Sequence, residues 1–438
     1  MDCGISWILS LAEAHKLENK MMNQENAIQV LNYVDPERVI KLLQDMVRIP
    51  SPTFEEVPLA EFIASYLDNL GIDIYMVDVE DPFGSGRRSK QPVGIIRGSG
   101  NGPKLMFNGH MDHNALAGRR EEWERDPFSG DVDGTYLYGR GSIDEKGGIA
   151  CMLTAAEAMK KWAIKLKGDL ILCPVMGHKS GGIGTKHHIK SNLSADFCIN
   201  TETTDLGIIT VGVGVVRIHI TFKGRPVHFS SIDEKKDQSA FPIQQMAKFI
   251  THLGEDVRPI APDSWLTFET EPDLPGYPQL SVDGIESQYA PENYCKLNMQ
   301  IRLVPGQSAA TVKSDLEQLL SALSKEVPNV EASLQVPPMG GWDFPPYRIS
   351  KDHILATTLA RWHEHVSGKP ADIGAGPRLG ACGDANFLAN NGVPTVQYGP
   401  GGIAEYDQWP AINERIRIDD LLIGARTMSL TAAELCGE

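Results

Sequence analysis

The chain has 438 residues, 42% hydrophobic and 22% charged, a composition ordinary for a globular protein and long enough for two or three domains. Its formal charge of −16 argues against nucleic acid or an anionic membrane as partner, since both require a basic face. No apolar run reaches the length of a membrane span, and seven scattered cysteines without a Cys-x-x-Cys pair point to reduced thiols in a cytoplasmic protein.

The segment Ile5 to Ala12 follows Asp2 rather than a basic region, so it reads as an amphipathic helix or an extension, within a 1–35 N-terminal stretch, not as a signal peptide. Residues 36 to 70 read as helices, with Asp35 as N-cap and Pro36 at the first helical position. Strands are expected at Ile72 to Val77, Val93 to Ile96 and Lys104 to Asn108. A helix from Gly147 to Lys160 follows, then a buried strand from Asp169 to Val175 that ends at Gly177-His178-Lys179. Another helix opens at Gly184, and Ala195 to Asn200 is a strand ending near Glu202. Alternating strands and helices with polar residues at the strand ends describe an α/β sheet with a site along one edge.

From Val216 the pattern changes to strand, helix (Ile243 to Leu253), two strands (near Leu280 and Tyr294 to Leu303) and helix (Ala309 to Lys325). This is a small α+β insert with its own core, spanning about 214–336 between the α/β segments 1–213 and 337–438. The α/β pattern then returns, with a last clear strand at Pro394 to Tyr398 and a last helix from Ile418 to Leu435.

Two segments carry chemistry together. His110-Met111-Asp112 sits on a short extended run, and Gly139-Arg140-Gly141-Ser142-Ile143-Asp144-Glu145-Lys146-Gly147-Gly148 follows some thirty residues later. Imidazole and carboxylates brought to one pocket suit a zinc-like divalent ion, and the glycines let backbone approach it closely. His110 alone would read as a buried histidine paired with an acid; the two segments in this order point to a metal site.

The chain resembles the family of aminoacylases, acetylornithine deacetylases, succinyl-diaminopimelate desuccinylases and glutamate carboxypeptidases, from about Val39 to the C-terminus. The resemblance rests on Asn108 to Asp112, Trp123 to Phe128, Gly139 to Gly148, Gly181 to Thr185, Gly224 to His228, Ile301 to Gly306 and Tyr398 to Gly401, in that order. It implies a zinc-peptidase-like α/β catalytic domain, an inserted α+β lid that dimerises, and hydrolysis of amide bonds with two co-catalytic zinc ions. By position, His110, Asp144 and Glu202 would be metal ligands, with Asp144 bridging. Asp112 would hold His110 in its tautomer. His228 would reach from the lid of a second copy to the oxyanion, and Arg302 would hold a substrate carboxylate. Gly401 belongs to the last glycine loop, and Gln288 stands where relatives carry an oxyanion-contacting Asn.

The chain departs from that pattern at three positions. The family's adjacent pair of glutamates, a general base and a metal ligand, is replaced by His178 and Lys179. The family's late ligand His falls on Pro410, four residues before Glu414, and no His follows His365. One metal thus keeps His110, Asp144 and Glu202, while the other has lost both private ligands. Lys179 would then replace the second ion's charge, and His178 would take the proton or serve as a ligand. The losses spare Asp112, Asp144, Glu202, His228 and Arg302, which favours altered activity over a decayed site.

The resulting expectation is a homodimeric amidohydrolase that cleaves a C–N bond in a small carboxylate-bearing molecule. It would use one divalent metal, zinc first, with manganese or cobalt as alternatives. A second reading drops the metal and has His178 and Lys179 perform hydrolysis, lyase or amide-forming chemistry. A third is a non-catalytic ligand-binding dimer. Pocket shape is expected to depend on loops around Tyr289, Trp342, Arg378 and Glu405.

Overall fold

The computed structural model describes residues 22–437 except 83, 117–119, 163–164, 229, 231, 234–239, 255–259, 262–263, 290, 328–329, 337–342, 376–381 and 403–411. The expectations for Ile5 to Ala12, Trp342, Arg378, Glu405 and Pro410 lie outside the described residues.

The main sheet has eight strands. Their order is Asp73–Glu80, Arg88–Ile96, Leu170–Val175, Leu105–His110, Phe197–Asn200, Thr395–Gln397, Ile208–Ile209 and Ile373–Gly374. Four neighbours in the middle, from Leu170–Val175 to Thr395–Gln397, run parallel. Parallel strands are covered on both faces, which is why Leu170–Val175 and Leu105–His110 are buried along their whole length. One face packs on helices Gly147–Trp162 and Ile418–Cys436, through side chains such as Phe107, Leu172, Met152 and Met428. The other packs Met106, Ile171 and Cys198 against Leu388, with Ile189 and Leu193 beside them.

Local chemistry sets the helix ends. The Asp35 carboxylate accepts from the Glu37 amide at 3.0 Å, Pro36 opens the helix Pro36–Val47, and Val39, Leu42, Leu43 and Met46 form its buried face. Helix Gly147–Trp162 starts hard against the sheet. A Cβ on Gly148 would lie 2.1 Å from the Thr201 carbonyl oxygen, so only glycine lets the helix approach the end of strand Phe197–Asn200. A buried amide pair locks two strand ends together. Asn200 Nδ2 donates to Asn108 Oδ1 at 2.9 Å, and Asn108 Nδ2 donates to Thr185 Oγ1 at 3.0 Å.

A second sheet, antiparallel, has the order Gln279–Gln288, Asn293–Leu303, Gly214–Gly224 and Glu331–Gln335. Burial alternates residue by residue along Asn293–Leu303, as the period-two pattern predicts. Helices Pro242–Leu253 and Ala309–Glu326 cover its apolar face around Ile218, Phe222, Phe249, Leu297 and Leu316, a core separate from that of the main sheet. Ser308 caps the second helix reciprocally with Thr311.

Several strands lie outside the expected elements, and two of them show why. Glu331–Gln335 is mostly exposed, so its side chains carry no apolar alternation, and pairing with Gly214–Gly224 makes it a strand. Arg415–Arg417 follows the strand expected to be last and pairs with Tyr136–Tyr138 through three residues, too few for a periodic signal.

Glu56 ties the helix Val57–Asn69 to the segment after Leu170–Val175. Its Oε1 accepts from the amides of Phe54 at 3.0 Å and Gly177 at 3.1 Å, while Oε2 is buried without a hydrogen bond. Burial first, then the charge of Asp112, pushes its carboxyl up to about 7 from 4.5. The folded state therefore holds a proton that the unfolded chain has released. The stabilisation linked to that proton is fully present below pH 4.5 and is lost as pH rises through about 7. The expected outcome is that the stability difference between wild type and Glu56→Gln moves against wild type across that window and is flat above it. Urea unfolding at a series of pH values checks this; a pH-independent difference would refute it.

Candidate functional site

Three consecutive parallel strands deliver the site residues at their carboxyl ends, where α/β sheets place their ligands. His110 is the last residue of Leu105–His110. His178 opens a single 3₁₀ turn, His178–Ser180, just past Leu170–Val175, and Gly177 at φ 67° turns the chain into it. Glu202 lies two residues past Phe197–Asn200. Asp144 comes from the turn that leads into helix Gly147–Trp162.

The imidazoles of His110 and His178 stack, with centroids 4.2 Å apart and planes 10° from parallel. Nε2 of His110 is 3.4 Å from Glu202 Oε1, and Nε2 of His178 is 3.5 Å from the same oxygen. Ligating atoms of His110, His178 and Glu202 all lie within 4.8 Å of one another. Asp144 Oδ1 approaches His110 Nε2 to 2.8 Å, yet off the direction of a hydrogen bond, so that buried nitrogen has none. The Lys179 ammonium donates to both oxygens of Asp144, at 2.9 and 2.6 Å. A buried imidazole nitrogen without a hydrogen bond, facing a carboxylate and a second imidazole, is a donor set that fits a divalent ion.

Asp112 acts differently from the tautomer-holding role implied by resemblance. His110 Nδ1 lies 2.8 Å from the Asp112 backbone carbonyl oxygen, whereas the nearer carboxylate oxygen is 3.6 Å away. The carboxylate instead accepts from the amides of His178 and Lys179, both at 3.0 Å, and from Thr53 Oγ1 at 2.9 Å. The reason is local: the tight 3₁₀ turn aims two amides at Asp112, and a carboxylate satisfies them better than a ring nitrogen does. Asp112 therefore sets the position of the turn that carries His178 and Lys179.

The charges are strongly interdependent. Burial opposes the charged form of Lys179, but Asp144 and Glu202 outweigh it and hold its pKa above the usual range. Burial likewise opposes ionised Asp144, and Lys179 with His110 holds it well below the usual carboxylate range. Glu202 is brought down to about 2 by His110 and His178 against the cost of burial. For His110, burial pulls downward, and Glu145, Asp144 and Glu202 more than reverse it.

Four participants were missed from sequence. Asp384, fully buried, has its Oδ2 3.3 Å from His178 Nδ1. Glu145 accepts from Thr201 Oγ1 at 2.8 Å, with its Oε2 3.5 Å from His110 Nε2; burial first drives its carboxyl well above the usual value. Gly383 leaves space: a Cβ there would lie 3.2 Å from His178 Cε1 and 3.6 Å from Glu202 Oε1. Glu414 is the fourth. The Gly383-Asp384 pair opening a helix was the available signal, since it repeats the glycine-plus-acid texture of the Asp144 turn.

Other expected residues sit around this centre. Gly401, at φ 82°, packs on Ile143 beside Asp144, where a Cβ would lie 3.2 Å from Ile143 Cγ2. Arg302 lies on Asn293–Leu303, and both its guanidinium and the Glu202 carboxylate act on the Cys382 thiol, which burial pushes up to about 11. His228 and Gln288 are on the second sheet's side of the molecule, both exposed, with His228 Nδ1 2.7 Å from Ser230 Oγ. Tyr289 OH donates to the Val227 carbonyl at 2.7 Å and so ties that loop to the end of strand Gln279–Gln288.

Residues 106–434 match the sequence profile described as Peptidase family M20/M25/M40. The chain is 27% identical to N-formyl-4-amino-5-aminomethyl-2-methylpyrimidine deformylase of Halalkalibacterium halodurans, over 93% of this chain and 97% of the deformylase. Its fold is similar to aminopeptidase PepT from Bacillus cereus, with TM-score 0.72, 17% identity and coverage of 92% and 99% of the two chains. It is also similar to YXEP of Bacillus subtilis, described as a dinuclear metal binding peptidase, with TM-score 0.62, 14% identity and coverage of 91% and 98%.

The turn that presents Asp144 hangs on Glu414. Its Oε1 accepts from the amides of Ile143 at 3.0 Å and Asp144 at 3.3 Å. Its Oε2 accepts from the Gly141 amide at 3.0 Å and Arg140 Nη1 at 3.2 Å. Replacing Glu414 with Ala strands these buried donors, including a guanidinium, and should cost about 3–5 kcal/mol of stability. Glu414→Gln keeps the shape and should cost less. Denaturant unfolding checks both; an Ala variant as stable as wild type would refute the anchoring role.

Proposed function

The chain belongs to the M20/M25/M40 peptidase family, and from that premise we propose that it hydrolyses an amide C–N bond other than an ordinary peptide bond. The observation that carries the reading is the Lys179 ammonium on both Asp144 oxygens, beside the converging His110, His178 and Glu202. A deformylase similar along nearly the whole chain supports a small amide substrate. In this reading one divalent ion, zinc first, is held with His110 and Glu202 as ligands. When bound, it supplies Lewis acidity and a lowered pKa for water. Lys179 keeps Asp144 neutralised and repels a second cation from the same space.

Arg302 gives the substrate class its carboxylate, since guanidinium recognises that group in a forked geometry. The segment 214–336 acts as the dimerising lid. Strand Gln279–Gln288 is the end strand of its sheet among the described residues and exposes the apolar Ile285, which suits pairing with a second copy. That pairing would bring His228 and Gln288 of one copy over the site of the other. The six described cysteines are all free thiols, in keeping with a reducing, cytoplasmic setting. No helix among the described residues is long and apolar enough to cross a membrane.

Turnover of a panel of N-formyl, N-acetyl and N-succinyl amines and amino acids by the zinc-loaded protein tests the reaction class. No hydrolysis of any member would remove it. With a good substrate, His228→Ala should lower kcat by roughly a hundredfold while leaving the fold intact, as loss of an oxyanion donor does. Unchanged turnover would take His228 out of the reaction.

Lys179→Glu should abolish activity without creating a two-ion centre, because it restores one lost ligand and not the other. Native mass spectrometry of the unmodified protein should count one ion per subunit. Two ions would sink the replacement of a metal by Lys179.

A further inference from the structure

Resemblance assigns the third ligand of the remaining ion to Asp144. The geometry points to another residue: we propose that His178 completes the site with His110 and Glu202, and that Asp144 is a partner of Lys179 rather than a ligand. This rests on the one-metal reading above and names its ligand set.

Distances separate the two sets. Zinc sits about 2.0–2.2 Å from nitrogen and oxygen ligands in a tetrahedral site, which puts neighbouring ligand atoms about 3.3–3.5 Å apart. The two imidazole nitrogens lie 3.4 and 3.5 Å from Glu202 Oε1. Asp144 Oδ1 lies only 2.8 Å from His110 Nε2, too close for two ligands of one tetrahedral ion. Both Asp144 oxygens are also within hydrogen-bond distance of Lys179 Nζ, at 2.9 and 2.6 Å.

The surroundings of each ring support the same assignment. A metal-binding imidazole usually turns its outer nitrogen to an oxygen that fixes the ring. His110 Nδ1 faces the Asp112 carbonyl oxygen at 2.8 Å, and His178 Nδ1 faces Asp384 Oδ2 at 3.3 Å. The rings stack with planes 10° from parallel, so an ion can lie in the plane of one ring as it stands and binds both once the other turns about its Cβ–Cγ bond. His110 Nε2 is buried without a hydrogen bond and lies 3.4 Å from Glu202 Oε1. Gly383 keeps that centre open, because a side chain there would press on His178 and Glu202.

A nitrogen lone pair that binds the ion cannot also take the proton from water. His178 therefore leaves the position of general base that its place in the sequence suggests. The ion becomes a two-imidazole, one-carboxylate centre with an open position, flanked by the Asp144–Lys179 pair.

Zinc K-edge absorption spectroscopy of the loaded wild-type protein counts imidazole ligands without any substitution. Two imidazoles per zinc are expected; one would overturn the inference. Equilibrium dialysis against zinc buffers adds a second measurement. His178→Ala should weaken zinc by a hundredfold or more, and Asp144→Asn should retain it within about tenfold, with circular dichroism confirming that each variant folds. The reverse order would overturn the proposal. A two-imidazole zinc protein that hydrolyses no amide keeps the ligand set and sinks the proposed function. A protein that hydrolyses amides without binding zinc sinks the ligand set and keeps the reaction.

Discussion

Bringing several carboxylates out of water into one pocket is the constraint around which this molecule is arranged. Asp112, Asp144, Glu145, Glu202 and Asp384 gather at the carboxyl ends of neighbouring strands, most of them nearly buried. Each would be costly alone. Two backbone amides and a hydroxyl satisfy Asp112, an ammonium satisfies Asp144, and Glu145 accepts from a hydroxyl while burial raises its own carboxyl pKa. Glu202 and Asp384 are left facing imidazoles. The stack of His110 on His178 follows from this arrangement, because both rings are drawn to the same carboxylate oxygen.

The parallel sheet makes that gathering cheap in chain entropy. Three strands with fixed register bring residues nearly a hundred positions apart to one edge, and the buried Asn108–Asn200 amide pair prevents slippage at the point of use. The Asp144 turn is held from two sides, by Glu414 below and by Thr203 Oγ1 donating to the Ile143 carbonyl at 2.7 Å. Precision at the site thus comes from main-chain amides and strand register.

Much of this was legible in the order of residues. Period-two and continuous apolar runs marked the strands, and Asp35-Pro36 marked a helix start that the structure shows. His110, Glu202 and the His178-Lys179 pair could be brought to one pocket because each stands at or just past the end of a buried run, and Asp144 because it sits in a Gly-rich turn. What could not be read depends on contacts distant in sequence. Asp384 is the first residue of helix Asp384–Asn390 and Glu414 directly precedes strand Arg415–Arg417, and packing alone shows that one meets His178 and the other meets four donors. The carboxylate of Asp112 turned to the amides of the next strand's turn, a partner no spacing within its own segment reveals. Glu331–Gln335 is a strand by virtue of its neighbour alone.

The contact between Lys179 and Asp144 also changes how this pocket answers to supply. A dissolved ion occupies a site according to mass action, so its presence varies with free concentration and with competitors. A lysine is carried by the chain itself, so its charge is lost only by deprotonation and not by dilution. The Asp144 side of the pocket keeps its cation through dilution, chelation or scarcity, and no foreign metal can be mistaken for it.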